Sequence, residues 1–289
     1  MTSISYTFTG SSNLKSVSIP NSVTSIGDEA FSGCSSLTSI TLVDGVVPIK
    51  IASNAFQYVK PTSLYWGRSW DLNIDYSQVT DLTIGNCLKN IPASKFKNHT
   101  KIKKLKLGSS ITSIGDEAFS GCTALEEVVL PPAVESIGAS AFAGNRSLRY
   151  IIMGSKVKTI GEKAFDGCPA STVSITTPEP PKAPNNTFSN YTGKLYCVDK
   201  AAADAYYDAF TCWDRFDSYV MVTPSRLEGE QTEIKGVAGE QIQLTATLWP
   251  ENVTLPQVFW RTTNPEVATV DANGLVTLHV DINRSRGIQ

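Results

Sequence analysis

Phenylalanine returns every 23 residues. The interval separates Phe8 from Phe31 and then links Phe96, Phe119, Phe142, Phe165 and Phe188. Self-similarity at a fixed period of this length is the signature of a repeat architecture. A unit so short cannot bury its own apolar face, so its copies must stack, and the chain is predicted to form a solenoid of about eight or nine rungs.

Clean copies of the unit read LKSVSIPNSVTSIGDEAFSGCSS from Leu14, LEEVVLPPAVESIGASAFAGNRS from Leu125 and LRYIIMGSKVKTIGEKAFDGCPA from Leu148. In the first half, L-x-x-V-x-I alternates apolar and polar residues, as a half-buried strand does, so Leu14, Val17 and Ile19 point inward. Further strand segments are expected to start at Leu37, Val79, Ile102, Leu125 and Leu148, with less regular rungs near Pro61, Ala170 and Thr192. The second half, V-x-x-I-G-x-x-A-F, places Val134, Ile137, Ala141 and Phe142 at spacings suited to a short helical or turn-like segment packing back on the strand. Gly27, Gly115, Gly138 and Gly161 follow its isoleucine and are assigned to a tight corner. The period breaks between Ile49 and Val79, where LYWGRSWDLNIDYSQ carries Trp66, Trp70 and Tyr76. These rings either pack as a local core or stand out as an exposed aromatic bulge.

Composition narrows the function classes. The chain has 289 residues, enough for two domains. Its 25 basic and 27 acidic side chains leave a net charge of −2, so no long-range field favours nucleic acid or an anionic membrane. No apolar run reaches membrane-spanning length, and Met1 to Gly10 has neither a basic nor an apolar leader segment. Of the six cysteines, Cys34, Cys122 and Cys168 each lie three residues after a repeat phenylalanine, a slot that His99 and Asn145 fill in other rungs. Two rungs apart, roughly 10 Å, is too far for a disulfide, so these are read as small core residues. Cys87 has no evident mate, and whether Cys197 and Cys212 pair is left open. No C-x-x-C or H-x-x-x-H spacing suggests zinc, and no phosphate-cradling glycine motif is present, so neither metal nor cofactor is expected. His99 and His279 are the only histidines, which gives nucleophilic catalysis little support. Asp28-Glu29 and Asp116-Glu117 recur at one repeat position and are read as a solvated corner. The N-x-S/T sequons at Asn98, Asn145, Asn190 and Asn252 are attributed to chance.

The SIGDEAFSGC segments, at Ser25 to Cys34 and Ser113 to Cys122, resemble the BspA-like leucine-rich repeats of bacterial and protist surface proteins. The resemblance spans roughly residues 8 to 215 and includes LYCVDKAAADAYYDAFTCWDRF, similar to that family's closing segment of strand, helix and tryptophan-containing turn. From Val222 the sequence is similar to group 2 bacterial Ig-like domains, on Pro250, Asn252, Trp260, Asn264, Pro265, Val267, Ala268, Val270, Gly274 and Val276. After Val276, VDINRSRGIQ departs from that pattern, and the module is expected to be truncated or irregular at its end. The resemblance implies an α/β leucine-rich-repeat solenoid, a right-handed β-α superhelix, over residues 1–220 with its closing segment at about 193–220. A small all-β Ig-like sandwich over residues 221–289 follows. It further implies a non-catalytic protein, secreted or on a bacterial cell surface, that engages host or neighbouring-cell partners.

On that reading the recognition surface is the outward side of the parallel sheet. One column is predicted to hold Ser16, Ser39, Asp81, Lys104, Glu127, Tyr150 and Thr172, and the next Ser18, Thr41, Thr83, Lys106, Val129, Ile152 and Ser174. Lys104, Lys106 and Glu127 would border an apolar centre of Val129, Tyr150 and Ile152, a composition suited to a protein partner such as a matrix protein of a host or another bacterial surface protein. The alternative is glycan binding, with Tyr65, Trp66 and Trp70 as the stacking platform. An ordinary exposed sheet face remains the structural alternative to both.

Overall fold

The computed structural model describes residues 3–68, 73–170, 172–188, 193–209, 212–220, 226–229, 241–243, 246–249, 268–270 and 275–278. The chain divides into two compact units, Met1–Val220 and Met221–Gln289.

The first unit is a parallel β-solenoid of about eight turns. Its main strands form two ladders. Ser16–Ile19, Ser39–Leu42, Ser63–Trp66, Asp81–Ile84 and Lys104–Leu107 make one. Glu127–Val129, Tyr150–Met153, Thr172–Ile175, Lys194–Cys197 and Asp217–Val220 make the other. All pairings are parallel, and Glu127–Val129 lies against Lys104–Leu107 without joining its ladder. The segment expected to be helical or turn-like is turns plus two-residue strands. Ser3–Ile4, Ser25–Ile26 and Lys50–Ile51 pair with one another, as do Asn90–Ile91, Ser113–Ile114, Ser136–Ile137 and Thr159–Ile160. Among the described residues the one α-helix, Lys200–Tyr207, belongs to the closing segment.

Between the two strand layers runs the core. Each regular rung contributes a buried isoleucine from its short strand, such as Ile114 or Ile137, and one phenylalanine. Phe96, Phe119, Phe142, Phe165 and Phe188 stack face to face at 5.1–5.4 Å, with interplanar angles of 11° or less. Strands repeat about every 4.8 Å, so identical side chains at one repeat position are brought to near-contact spacing by the backbone itself. Each buried ring adds roughly 1.5–3 kcal/mol of hydrophobic stabilisation.

Two glycine columns do different jobs. Gly33, Gly121, Gly144 and Gly167, two residues after the phenylalanine, have φ near +70°, which glycine adopts without steric cost. The glycine after the isoleucine has no such φ. It is required because the preceding rung is close: a Cβ on Gly115 would meet the Ala93 nitrogen at 2.6 Å, and one on Gly138 the Asp116 nitrogen at 2.5 Å. The corner is thus a point of contact between rungs rather than a left-handed turn. The thiols of Cys34, Cys122 and Cys168 donate to the carbonyls of Phe8, Phe96 and Phe142 at 3.0–3.2 Å, which joins each rung to the one before. All three, together with Cys197, are buried free thiols, so the pairing of Cys197 with Cys212 is not made.

One rung is short. Successive main strands are offset by 23 residues from Ser16 to Ser39 and by 24 to Ser63, but by only 18 from Ser63 to Asp81. The column of short strands and the phenylalanine stack are both interrupted there: Phe8, Phe31 and Phe56 form one stack, and the next begins at Phe96. Trp66 fills the gap. Its ring is fully buried and packs edge-on against Tyr76 at 5.4 Å and Phe96 at 5.6 Å, with the Lys95 ammonium 4.7 Å from its centre. Arg68 is also buried, at 1% exposure, and donates to the carbonyls of Pro20, Asn21 and Val23 in the first rungs. Burial pulls its pKa down.

The closing segment caps the core. Asp199 accepts from the Ala202 nitrogen at 2.8 Å to start the helix, which buries Ala202, Ala203 and Tyr206. The Tyr206 hydroxyl lies 2.5 Å from Thr177 Oγ1, and Trp213 Nε1 donates to the Pro181 carbonyl. Phe216 and Trp213 pack on Phe188, the last ring of the stack. The strand, helix and tryptophan turn expected from sequence are joined by a further strand, Asp217–Val220.

In the second unit, Arg226–Gly229 pairs antiparallel with Ala246–Trp249, and Leu275–Leu278 pairs antiparallel with Gln241–Gln243 and Ala268–Val270. The motif positions Ala268, Val270 and Val276 fall on these strands. Pro250, Asn252, Trp260, Asn264, Pro265, Val267, Gly274 and the tail from His279 lie outside the described residues.

Candidate functional site

Strand alternation sends one set of side chains into the core and the other to the open face of the main sheet. The ladder register aligns the outward residues in columns. Glu127, Tyr150, Thr172 and Lys194 are successive partners, as are Val129, Ile152, Ser174 and Tyr196. Within each ladder the register aligns the predicted residues, together with members that sequence spacing missed: Ser63 and Tyr65 in the short rung, Lys194 and Tyr196 in the closing segment.

The face changes character along its length. Its first rungs show Ser16, Ser18, Ser39 and Thr41, small hydroxyls with little to anchor a partner. A charged band follows. The Lys104 ammonium sits 3.6 Å from Asp81 Oδ1, both well exposed, and Lys106 is exposed beside it. Such a pair contributes roughly 0–1 kcal/mol, so its role at the surface is orientation rather than stability. Beyond Glu127 comes an apolar patch in which Tyr150 is 46% exposed and Val129 and Ile152 are half-buried. Ser174, the ladder neighbour of Ile152 and Tyr196, is buried to 1%.

The aromatic platform of the alternative reading does not form. Tyr65 and Trp66 are consecutive residues of one strand and point to opposite faces. Trp66 goes into the core at 0% exposure, which settles it and Tyr76 as local core. Tyr65 stays on the open face, half-buried, and its hydroxyl donates to Asp44 Oδ2 at 3.1 Å. Burial first, and then the Asp44 carboxylate, push its pKa up to about 12. Trp70 lies outside the described residues.

The repeated acidic corners are structural. Glu117 is bonded by Lys97 Nζ at 2.6 Å and Ser94 Oγ at 3.2 Å, and the lysine holds its carboxyl below the usual range. Asp116 Oδ1 accepts from the Ala139 nitrogen of the next rung at 2.7 Å. His99 stacks on Tyr76 at 4.7 Å. Among the described residues no three His, Cys, Asp or Glu side chains converge as a metal site, and no helix is long and apolar enough to cross a membrane.

One feature of the surface was not found by the sequence reasoning. Beside the short rung a shallow cleft of about 450 Å³ is lined by Phe56, Val59 and Ile74 with Ser53, Gln57, Tyr58, Lys60, Asn73 and Asp75 around them. The signal was the 18-residue interval, which the loss of period between Ile49 and Val79 concealed.

Six copies of the BspA type leucine rich repeat region match residues 2–71 and 74–193, and a bacterial Ig-like domain of group 2 matches residues 221–279. Among solved structures, the chain is similar to the pneumococcal vaccine antigen PcpA at 20% identity, over 73% of this chain and 68% of that one, with a TM-score of 0.42. A leucine-rich-repeat protein from Bacteroides ovatus matches at 16% identity over 76% and 88%, with a TM-score of 0.32. One from T. pallidum matches at 18% over 70% and 78%, with a TM-score of 0.34. No curated protein matches. With six repeat copies covering most of the solenoid and the rung pattern visible in the strands, the chain belongs to the BspA-type leucine-rich-repeat family and carries a group 2 bacterial Ig-like domain at its C-terminal end.

Proposed function

We propose that this is a non-catalytic cell-surface or secreted binding protein that takes a protein partner on the open face of its solenoid. The observation that carries the reading is the apolar patch of Val129, Tyr150 and Ile152 set beside the exposed Lys104 and Lys106. A large aromatic ring held on a rigid strand, with polar groups at its border, is the arrangement that anchors protein contacts. The family points the same way: BspA-type repeats occur on surface proteins, and one solved neighbour is a pneumococcal vaccine antigen. Adhesion to a host matrix protein or to another bacterial surface protein is the specific form proposed.

The test is a surface-binding measurement of the full chain against immobilised matrix proteins, with Tyr150→Ala and Lys104→Glu as variants. Tyr150→Ala is expected to weaken saturable binding by about 2 kcal/mol, the scale of an interface hot spot. Lys104→Glu should act mainly on the association rate and its salt dependence. Binding that both variants leave intact would move the site off this face.

A further inference from the structure

We infer that the rung carrying Phe56 offers a docking slot for an extended segment of a partner polypeptide, held through its main chain and small where it faces the core.

The outer turns of the solenoid are joined by a ladder of their own. In five rungs the amide of the repeat phenylalanine and the amide two residues later donate to two carbonyls of the next rung, at 2.7–3.0 Å. Phe31 and Gly33 donate to Ala55 and Gln57, for example, and Phe96 and Asn98 to Ala118 and Ser120. At Phe56 this ladder stops. Ala55 and Gln57 still accept from the rung before, but among the described residues the amides of Phe56 and Tyr58 donate to no carbonyl. Main-chain donors without a partner are the exception in a native fold.

The neighbouring gaps are closed by side chains. The Ile51 carbonyl, whose counterparts at Ile91 and Ile114 accept from the amides of Gly115 and Gly138, accepts from Asn73 Nδ2 at 2.8 Å. The Lys95 carbonyl, whose counterpart at Ala118 accepts from the Phe96 amide, accepts from the Tyr76 hydroxyl at 3.4 Å. Substitutes are thus supplied for these two acceptors, and none for the two donors. Those donors belong to the segment that lines the cleft of about 450 Å³, formed by Ser53, residues 56–60 and residues 73–75.

Register decides the occupant. Donors two residues apart are matched in the intact rungs by carbonyls two residues apart, as at Ala118 and Ser120. An extended main chain repeats its carbonyls on one edge at this interval, whereas a single carboxylate or phosphate gathers its oxygens on one atom. Addition of a chain to an unpaired backbone edge is an established mode of peptide recognition. The residue between the two carbonyls stands where a regular rung inserts its phenylalanine. Here that place is closed, for Phe56, Val59 and Ile74 are 4%, 2% and 5% exposed and Trp66 packs on Tyr76 in the core. The central residue of the occupant is therefore glycine, alanine or serine, and affinity comes from the main chain rather than from an apolar pocket.

The experiment is residue-resolved amide exchange on the full chain, free and with acetylated, amidated heptapeptides of serine and alanine whose central residue is glycine, alanine or tryptophan. In the free chain the amides of Phe56 and Tyr58 should exchange at least about ten-fold faster than those of Phe119 and Gly121, their bonded counterparts. The glycine and alanine peptides should slow both by at least about ten-fold, and the tryptophan peptide should not. Replacing the two acceptor amides of the peptide by carbon–carbon double bonds should abolish the protection. Tyr58→Gly keeps the donor and should keep the protection, and Tyr150→Ala should as well, which separates this slot from the face proposed above. Five results would each overturn the inference: protection already present in the free chain, protection that grows with protein concentration and so reports a second copy, equal protection by inorganic phosphate, equal protection by the tryptophan peptide, or no protection by any peptide.

Discussion

From Asp81 to Ala170 the solenoid solves one packing problem repeatedly, whereas the stretch from Val43 to Val79 solves a different problem once. In the regular rungs the recurring side chains each have a repeat duty: isoleucine and phenylalanine fill the core, glycine clears the neighbouring corner, and cysteine bridges backwards. In the short rung those duties pass to Trp66, Tyr76 and Arg68, which reach across rung boundaries to close the interruption. The difference teaches that departures from the repeat are where residues are released for other work. Tyr58, Val46 and Val47 are all well exposed in that stretch, at 76%, 89% and 50%.

The largest effects are expected from removing one buried side chain in each region. Phe119→Ala deletes one member of a continuous stack, and a loss of about 3–5 kcal/mol in urea unfolding is expected. A much smaller loss would mean that the stack relaxes and that its regularity is not what stabilises it. Arg68→Met comes next. It leaves the Pro20, Asn21 and Val23 carbonyls without their donor, at a cost of about 2–3 kcal/mol. Amide exchange should rise selectively in the first two rungs, and a uniform response would argue that the arginine is not a local clasp.

Alkali probes the regular region through its thiols. Burial raises Cys122 and Cys168 from 9.0 to about 12. The unfolded chain releases these protons above pH 9 and the folded chain only near pH 12, so the contribution is complete below pH 9 and is lost as pH rises toward 12. The slope is up to about 1.4 kcal/mol per pH unit for each thiol, and Cys122→Ser should flatten a chemical-denaturation series by one thiol's share. The smallest effect is expected from Lys158→Ala, which removes an exposed bridge to Glu135 at 2.7 Å. Its unfolding midpoint should not move measurably in physiological salt, since exposed pairs are screened.

Much of the regular region was legible in advance because its signals are redundant. A 23-residue period, an alternating strand and an Ile-Gly corner all recur in register, and the outward columns followed directly. The short strands of the second layer were not legible, since two residues are too few to show alternation. Nor was Tyr65's place on the open face: intervals of 24 and then 18 residues put the Ser63–Trp66 strand out of phase, so it read as an insertion. Trp66 illustrates the same limit. Whether a tryptophan beside a broken period faces inward depends on which neighbour it replaces, and that is a tertiary fact. Tyr58 had no sequence signal beyond occupying a slot where most rungs place glycine.

The thiols that tie rung to rung bear on the redox chemistry of the whole chain. A cysteine serving as a hydrogen-bond donor to a buried carbonyl, with its pKa raised by burial, is scarcely present as the nucleophilic thiolate that oxidants and alkylating agents attack. Cys34, Cys122 and Cys168 therefore behave as hydroxyl-like linkers that do not oxidise while the fold is intact. Cys87, exposed on the surface, is where an oxidising medium would leave its mark.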